Sequence, residues 1–197
     1  AARRGRLEDV WAGIAAARAA GLTPIKLNVV VVRGLNDDEV VDFARKTLTD
    51  DWHVRFIELM PIGANVSWAG DGTVPTTEVQ ARIESEIGPL QPVHGPRGNG
   101  PARYHLLARA KGTIGFIGAS SDHFCPSCNR LRLTADGRLR PCLLDEREID
   151  LRAALRSGAG LEAVKSVLTQ AIQSKPKQHH LREALAPRNR TMAQLGG

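Results

Sequence analysis

The chain has 197 residues, a net charge of +6 and a hydrophobic content of 42%, but aromatic residues make up only 4%. This apolar content is enough for a substantial aliphatic core, in one large domain or two small ones. No apolar run approaches the length of a membrane span and no signal-peptide pattern is present, so we expect a cytoplasmic protein with no membrane partner. The positive charge comes mostly from arginine, which suits bidentate phosphate contacts. No basic run is interleaved with aromatic residues, so nucleic acid is not an expected partner.

The first sixty residues alternate between predicted helices and strands. An amphipathic helix is predicted from Leu7 to Ala20, because apolar residues recur there at helical spacing, and Gly21 is typical of the position after a helix end. The next segments are a buried parallel strand, a helix that Asn36 or Asp37 caps, and a second buried strand: Pro24 to Val32, Asp38 to Thr47, and His53 to Met60. This alternation is typical of a β/α layer or barrel.

The pattern changes after Gly63, where a loop from Ala64 to Pro75 is predicted. A helix then starts at Thr76 or Thr77, and the glycines and prolines of Pro89 to Pro101 predict a loop or an edge strand. Two further strands and two helices are predicted along the rest of this half: Arg103 to Ala108, Thr113 to Ile117, Leu151 to Arg156, and Leu161 to Ser174. The tail after Ser174 is basic and weakly periodic. Its His179 and His180 are interpreted as surface residues, because no third metal ligand lies nearby.

All three cysteines lie within one short stretch, as Cys125, Cys128 and Cys142. The first two form a C-x-x-C, which places two thiolates at one metal centre from a single tight turn. Between Cys128 and Cys142 we predict a hairpin, with a strand from Arg130 to Thr134 and a turn at Ala135 to Gly137. The hairpin would bring Cys142 back beside the other two cysteines. Residues alternate across a strand, so Arg130 and Arg132 are predicted to share one face.

Three thiolates are compatible with several kinds of site. His123 could complete a Cys₃His zinc site, since structural zinc usually has four protein ligands. A four-iron cluster held by three cysteines would instead keep one iron free of protein ligands. A disulfide would leave one cysteine unpaired, and nothing else in the sequence is typical of a secreted protein. The spacing alone favours zinc and iron–sulfur equally and disfavours the disulfide.

Polar residues interrupt both predicted strands of the first half. Lys26 and Asn28 point the same way on the first strand, and Arg55 lies among apolar residues on the second. Polar groups on a buried face need partners, so they either line a site or are satisfied by neighbouring loops. Met60 at the end of the second strand is an ordinary core residue on this basis.

The residues around the cysteines favour one of these alternatives. The pattern Phe-Cys-x-x-Cys-Asn-Arg-x-Arg-x-Thr, followed by Gly137 and Cys142, resembles the C-terminal cluster motif of the GTP 3′,8-cyclases. These are radical S-adenosylmethionine (SAM) enzymes, lyases that open molybdenum cofactor biosynthesis. The Pro-Ile-Lys-x-Asn-x-Val and Phe-Ile-Glu-x-Met-Pro runs are similar to the fifth and sixth barrel strands of the same family. The resemblance covers nearly all of this chain but only the C-terminal portion of the family.

The resemblance implies a role for each candidate residue. Cys125, Cys128 and Cys142 would ligate a [4Fe–4S] cluster whose open iron binds the guanine of GTP. The GTP contacts would be Lys26, Arg55, Arg130, Leu131 and Arg132. Met60 would border the SAM site. The closing Gly196 and Gly197 would belong to a tail that reaches the active site; without the resemblance they would be interpreted as a frayed terminus.

The resemblance also implies an incomplete protein. The fold class is α/β: residues 1–63 would be the last strands and helices of an incomplete β/α (TIM-like) barrel, and residues 64–197 an α+β domain with antiparallel strands. The C-x-x-x-C-x-x-C that holds the SAM-cleaving cluster is absent, because the only three cysteines belong to the other site. The chain also begins at Ala1 rather than at methionine, so we expect it to be part of something longer.

Further expectations concern activity and partners. This chain alone should not cleave SAM, and its expected partners are GTP, SAM and the missing N-terminal portion with its second [4Fe–4S] cluster. A homodimer is also compatible with this interpretation. The alternative function is that of a non-enzymatic zinc-binding module, for which nucleic acid is one candidate ligand.

Overall fold

The computed structural model describes residues 5–62, 71–96, 100–122, 124–179 and 189–195. The chain divides into two compact units that interleave along the sequence. The first consists of residues 1–57 and 76–117, and the second of residues 58–75 and 118–197. The boundary predicted at residue 63, between a partial barrel and a C-terminal domain, stays a prediction.

The first unit is built on a mixed five-stranded sheet. Its strands are β1 (Lys26–Val31), β2 (His53–Glu58), β3 (Gln91–Val93), β4 (Arg103–Leu106) and β5 (Thr113–Ile117), in the order β1-β2-β5-β4-β3. The pair β2 and β5 is parallel, while β4 pairs antiparallel with both β5 and β3. Pro92 lies in the edge strand β3, where its missing amide proton costs no sheet hydrogen bond. The edge strand predicted within 89–101 is therefore confirmed.

Three helices accompany this sheet. They are α1 (Leu7–Ala19), α2 (Val40–Thr49) and α3 (Thr76–Glu86). The start predicted for α3 is confirmed, and Gly21 after α1 has φ 71°. The buried residues of α2 are Val40, Val41, Ala44 and Thr47, which lie on one face of the helix.

Three details of this unit were predicted wrongly. No residue of α1 is buried, and Leu7 is 66% exposed, so the apolar stripe of this helix does not face the core. Its Trp11 ring instead stacks on Trp52, with centroids 5.9 Å apart. On β1 only Val29 and Val31 are buried, so this strand is not buried on both faces.

The third detail concerns the predicted helix caps. Asn36 and Asp37 do not cap α2, which begins after Glu39 without a side-chain cap. The Asn36 side chain accepts from the Val32 amide at 2.8 Å, and the Asp37 carboxylate accepts from the Gly34 amide at 2.6 Å. Both side chains therefore bind amides of the turn before the helix instead of amides at the helix start. Asn and Asp side chains commonly make such local bonds to the backbone.

The second unit carries a separate antiparallel sheet of three short strands. These are β6 (Arg132–Leu133), β7 (Arg138–Arg140) and β8 (Ile149–Asp150), in that order. Helices α4 (Leu151–Arg156) and α5 (Gly160–Gln173) follow, as predicted. Leu139, Leu151 and Ala171 form the buried core, which joins the sheet to both helices. The mixed α/β class and the antiparallel strands are confirmed. Within the described ranges no helix is long and apolar enough to cross a membrane.

The predicted hairpin turn depends on Gly137. Its φ is 81°, a conformation that costs a residue with a side chain about 1 kcal/mol or more. A β-carbon at Gly137 would also lie 2.8 Å from Cβ of Arg152, the second residue of α4. The Arg152 amide donates to the Gly137 carbonyl at 3.0 Å, so the turn and the helix are in direct contact. Glycine is required here both by the backbone angle and by this close approach.

We predict that Gly137→Ala destabilises the protein more than Gly158→Ala does. Gly158 has a similar φ of 71° but open space around it, so its replacement costs only the conformational strain, about 1 kcal/mol. The Gly137 variant should lose a further ~1–3 kcal/mol because Arg152 must move. Urea unfolding of both variants measures the difference, and equal losses would contradict a packing role for Gly137.

Candidate functional site

The first two cysteines lie at the ends of one tight turn. Cys125 begins a 3₁₀ turn, Cys125–Ser127, and the Cys128 amide donates back to the Cys125 carbonyl at 3.1 Å. The Ser127 amide and hydroxyl both donate to the Phe124 carbonyl, each at 3.1 Å. These hydrogen bonds close the turn that carries both cysteines.

The hairpin of β6 and β7 returns the chain towards this turn. Arg132 lies opposite Arg140 in the ladder, and Cys142 follows Arg140 by two residues. Burial raises the pKa of Cys142, while the Leu144 amide, which donates to its sulfur at 3.4 Å, opposes the rise and the charge of Cys125 adds to it. Cys125 and Cys142 are therefore near enough to interact electrostatically. All three cysteines are free thiols, so none of them forms a disulfide.

The thiol set fits an iron–sulfur cluster in its chemistry. It offers three sulfur donors, and amide N–H···S bonds such as that from Leu144 are among the contacts that tune such clusters. Among the residues that the structure describes, no three His, Cys, Asp or Glu side chains are close enough to bind one metal ion. A four-iron cluster does not need such a single-ion site, because each of its cysteines binds a different iron atom. His123, the candidate fourth zinc ligand, lies outside the described residues.

The two predicted arginines accompany the cysteines, but only one lies in a strand. Arg132 begins β6, whereas Arg130 is exposed and precedes it, so the strand alternation does not extend to Arg130. Burial, and then the charge of Arg130, lowers the pKa of Arg132, while Cys128 and Cys142 oppose this shift. Arg132 is thus electrostatically coupled to both cysteines. Leu131 between the arginines packs against the core that contains Leu139.

Met60 and Cys142 pack against the same small apolar cluster. Ile62, Leu144 and Leu195 form its buried centre. Leu195 has no exposed surface although it lies in the tail, because it packs with Ile62 and Leu144. The two glycines predicted to reach the active site, Gly196 and Gly197, lie outside the described residues.

Lys26 and Arg55 belong to the first unit. Lys26 and Asn28 occupy the exposed face of β1, so they are not the buried polar pair that the apolar strand suggested. Arg55 is half-buried on β2, opposite Gly115 of the parallel strand β5. Burial, and then the charge of Lys26, lowers the pKa of His53, with a smaller contribution from Arg55. The charges of Lys26 and Arg55 therefore both affect His53 on β2.

Glu58 is a buried charge whose role the sequence did not reveal. It ends β2 and is only 1% exposed. Its carboxylate accepts from the amides of Ser120 and Ser121, at 2.8 and 3.0 Å, and from the Ser121 hydroxyl. These serines shortly precede Cys125, so Glu58 fixes the loop that leads into the cysteine turn. The pattern Phe-Ile-Glu-x-Met-Pro identified the position, but partners 62 and 63 residues away leave no local signal.

A second buried charge, Arg140, stabilises the strand that leads to Cys142. Its side chain is 0% exposed, donates to the Asp145 carbonyl and to Asn189 Oδ1 at 3.2 Å, and lies 3.6 Å from the Glu148 carboxylate. Arg190 pairs with Glu148 at 2.5 Å and with Asp136 at 2.9 Å. These contacts attach residues 189–195 to the hairpin.

His179 was wrongly predicted to be a surface residue. It is buried, and its Nε2 lies 2.7 Å from the Ala119 carbonyl, directly before the serine loop. A buried ring nitrogen with a carbonyl partner is structural, which the doublet of adjacent histidines did not indicate. His180 lies outside the described residues.

Comparison with known proteins identifies the family of this chain. Residues 52–181 match the family described as Molybdenum Cofactor Synthesis C. The chain belongs to this family. It is 53% identical over 195 residues to a protein of Pelotomaculum thermopropionicum named GTP 3′,8-cyclase, and 54% identical over 196 residues to one of that name from Heliobacterium modesticaldum. A protein of Nostoc punctiforme with the same name is 45% identical over 199 residues.

These alignments cover 98–99% of the chain and 60% of each relative, so the chain spans about 60% of the length of the curated relatives it matches. The resemblance that the cysteine motif indicated is thus confirmed at the level of the family. The matched residues 52–181 include all three cysteines, both hairpin arginines, Glu58 and Met60. They do not include Lys26, which only the longer alignments cover.

We predict that Glu58→Ala frees the loop before the cysteine turn. The change removes the acceptor of two amides and a hydroxyl, and each buried unpaired donor costs about 1–3 kcal/mol. Hydrogen exchange at the Ser120 and Ser121 amides should accelerate strongly. Glu86→Ala, at an exposed position at the end of α3, is the matched control and should leave both rates unchanged. Retained protection in the Glu58 variant would show that other contacts hold the loop.

Proposed function

We propose that this chain is the GTP-binding C-terminal portion of a GTP 3′,8-cyclase. The reaction is the radical SAM conversion of GTP to (8S)-3′,8-cyclo-7,8-dihydroguanosine 5′-triphosphate, the first step of molybdenum cofactor biosynthesis. The observation that carries the proposal is the identity of 53–54% to two proteins of that name, over 99% of this chain. The hairpin that carries three thiols and two arginines supports it chemically.

In this proposal the cysteine hairpin holds the substrate. Cys125, Cys128 and Cys142 would hold a [4Fe–4S] cluster, which supplies one iron without a protein ligand for the base of GTP. Arg130 and Arg132 would orient the nucleotide by charge-assisted hydrogen bonds, and Leu131 anchors this segment to the core. The thiols and the arginines are adjacent along the chain, so base and phosphates would be bound by one structural element.

Residues outside the hairpin have supporting roles in the proposal. Lys26 and Arg55, whose positive charges both lower the pKa of His53, would neutralise the phosphates of GTP. Met60 would border SAM, and Gly196 and Gly197 would extend the tail that Leu195 anchors. SAM cleavage and its own [4Fe–4S] cluster would belong to the remaining portion of the enzyme, which would supply the barrel strands that precede residues 1–63. A cytoplasmic location and a homodimer stay predictions.

The first experiment tests the cluster. The protein is purified anaerobically and its iron, sulfide and zinc contents are measured together with its optical spectrum. We expect about four iron atoms per chain, as one four-iron cluster requires, and a broad absorption band in the blue. Replacing Cys125, Cys128 or Cys142 by Ser should remove the iron or make it labile, because a hydroxyl is a poor substitute for a thiolate.

Ser157→Ala is the control for these variants, since Ser157 is exposed and lies at the end of α4, outside the cysteine turn. It should retain its iron. A colourless protein that contains stoichiometric zinc would support the zinc-binding alternative instead. Full retention of iron and sulfide in all three cysteine variants would contradict the ligand assignment.

The second experiment tests GTP binding by the arginines. Arg130→Ala and Arg132→Ala should each weaken GTP binding by roughly 1.5–3 kcal/mol, the range for a hydrogen bond to a charged group. Anaerobic equilibrium dialysis measures the affinity, and circular dichroism checks the fold. Arg156→Ala, at the exposed end of α4, is the matched charge control and should bind as the unmodified protein does. Unchanged affinity in both hairpin variants would exclude this site.

A further inference from the structure

The ammonium group of Lys175 lies at the open end of the cysteine hairpin. It donates to the Arg130 carbonyl at 2.7 Å and to the Pro141 carbonyl at 2.9 Å, and it lies 3.8 Å from the sulfur of Cys128. A lysine has three N–H donors and no acceptor, so these three partners use its full capacity. The side chain is therefore held in one place by hydrogen bonds rather than extended into solvent.

The position of Lys175 follows from the packing of α5. This helix buries Ala171 against Leu139 of β7, and Val164, Val167 and Leu168 pack against the same core. The helix ends at Gln173, and the Lys175 amide still donates to the Ile172 carbonyl at 3.2 Å. Pro176 follows and prevents the helix from continuing. The packed helix α5 holds the backbone before Lys175, and Pro176 restricts the backbone after it. This places the ammonium group at the hairpin.

The two carbonyls that Lys175 binds lie next to cysteine ligands on opposite arms of the hairpin. Arg130 follows Cys128 by two residues, and Pro141 directly precedes Cys142. In this region the ladder pairs only Arg132 with Arg140 and Leu133 with Leu139, which leaves the ends at Cys128 and Cys142 outside it. Lys175 joins these ends, a connection that the β6–β7 pairing does not make.

We propose that Lys175 is the positioning residue of the candidate cluster site, an inference that rests on the proposed function. It has two separable effects. Its hydrogen bonds to the two carbonyls keep Cys128 and Cys142 at a fixed spacing, so that the site retains its iron. Its positive charge beside the Cys128 sulfur stabilises the more negative, reduced form of the cluster and raises its reduction potential.

The test compares Lys175→Met and Lys175→Gln with the unmodified protein, all purified anaerobically. The methionine has similar length but donates no hydrogen bond, and we expect it to lose iron to a chelator about 10-fold or more faster, the effect of removing an outer-shell contact. The glutamine keeps two N–H donors without the charge. It should retain iron better than the methionine variant while its midpoint potential, followed by electron paramagnetic resonance, is more negative than that of the unmodified protein.

Lys177→Met is the matched control, because Lys177 is exposed and lies only two residues further along the tail. This variant should change neither the rate of iron loss nor the midpoint potential. An unmodified protein that holds no iron would refute the proposed function, and this inference with it. Iron in the unmodified protein, with unchanged iron loss and unchanged potential in both Lys175 variants, would refute only the role of Lys175. If the methionine variant fails to fold, the potential of the glutamine variant decides the question.

Discussion

The cysteine loop depends on the buried carboxylate of Glu58. A carboxylate that is removed from water is unfavourable unless its oxygens accept hydrogen bonds, and here the donors are two consecutive backbone amides and a hydroxyl. Because two of the three donors are backbone amides, the bonds fix the path of the chain at Ser120 and Ser121. Ser120 and Ser121 lie in the segment that leads to the turn at Cys125.

Other charged groups hold the remaining parts of the same region in a similar way. Arg140 binds a carbonyl, an amide and a carboxylate around β7, and Lys175 binds carbonyls on both arms of the hairpin. Breaking one partner of a buried pair leaves an uncompensated charge, which is more costly than the pair was favourable. The hairpin has only two paired residues on each strand, so its geometry relies on these contacts more than on its sheet hydrogen bonds.

The sequence predicted the elements whose signals are local. The alternation around Leu133 and the glycine at position 137 predicted the hairpin, because strand period and turn conformation are properties of neighbouring residues. The helices α3, α4 and α5 were predicted for the same reason. The cysteine pattern and its flanking arginines were sufficient to indicate the family to which the chain belongs.

What the sequence did not predict depends on partners that are distant along the chain. Lys175 reaches acceptors 34 to 47 residues away and was classed only as part of a basic tail. His179 binds a carbonyl 60 residues away and was predicted to be exposed. For α1 the helix itself was predicted, but the burial of its apolar residues was not. Helical spacing of apolar residues does not specify what those residues contact.

The stacked pair of Trp11 and Trp52 gives this protein an internal optical reporter. Lys46 lies 5.9 Å from the centre of the Trp11 ring, and the indole nitrogen of buried Trp52 has no hydrogen-bond partner in the part of the chain that the structure describes. An indole in such surroundings emits at shorter wavelength than one in water. Because Trp11 belongs to a helix without a single buried residue, detachment of that helix would shift the emission of Trp52 before the sheet itself unfolds. The emission of Trp52, separated from that of the third tryptophan, Trp68, would therefore distinguish loosening of α1 from loss of the core.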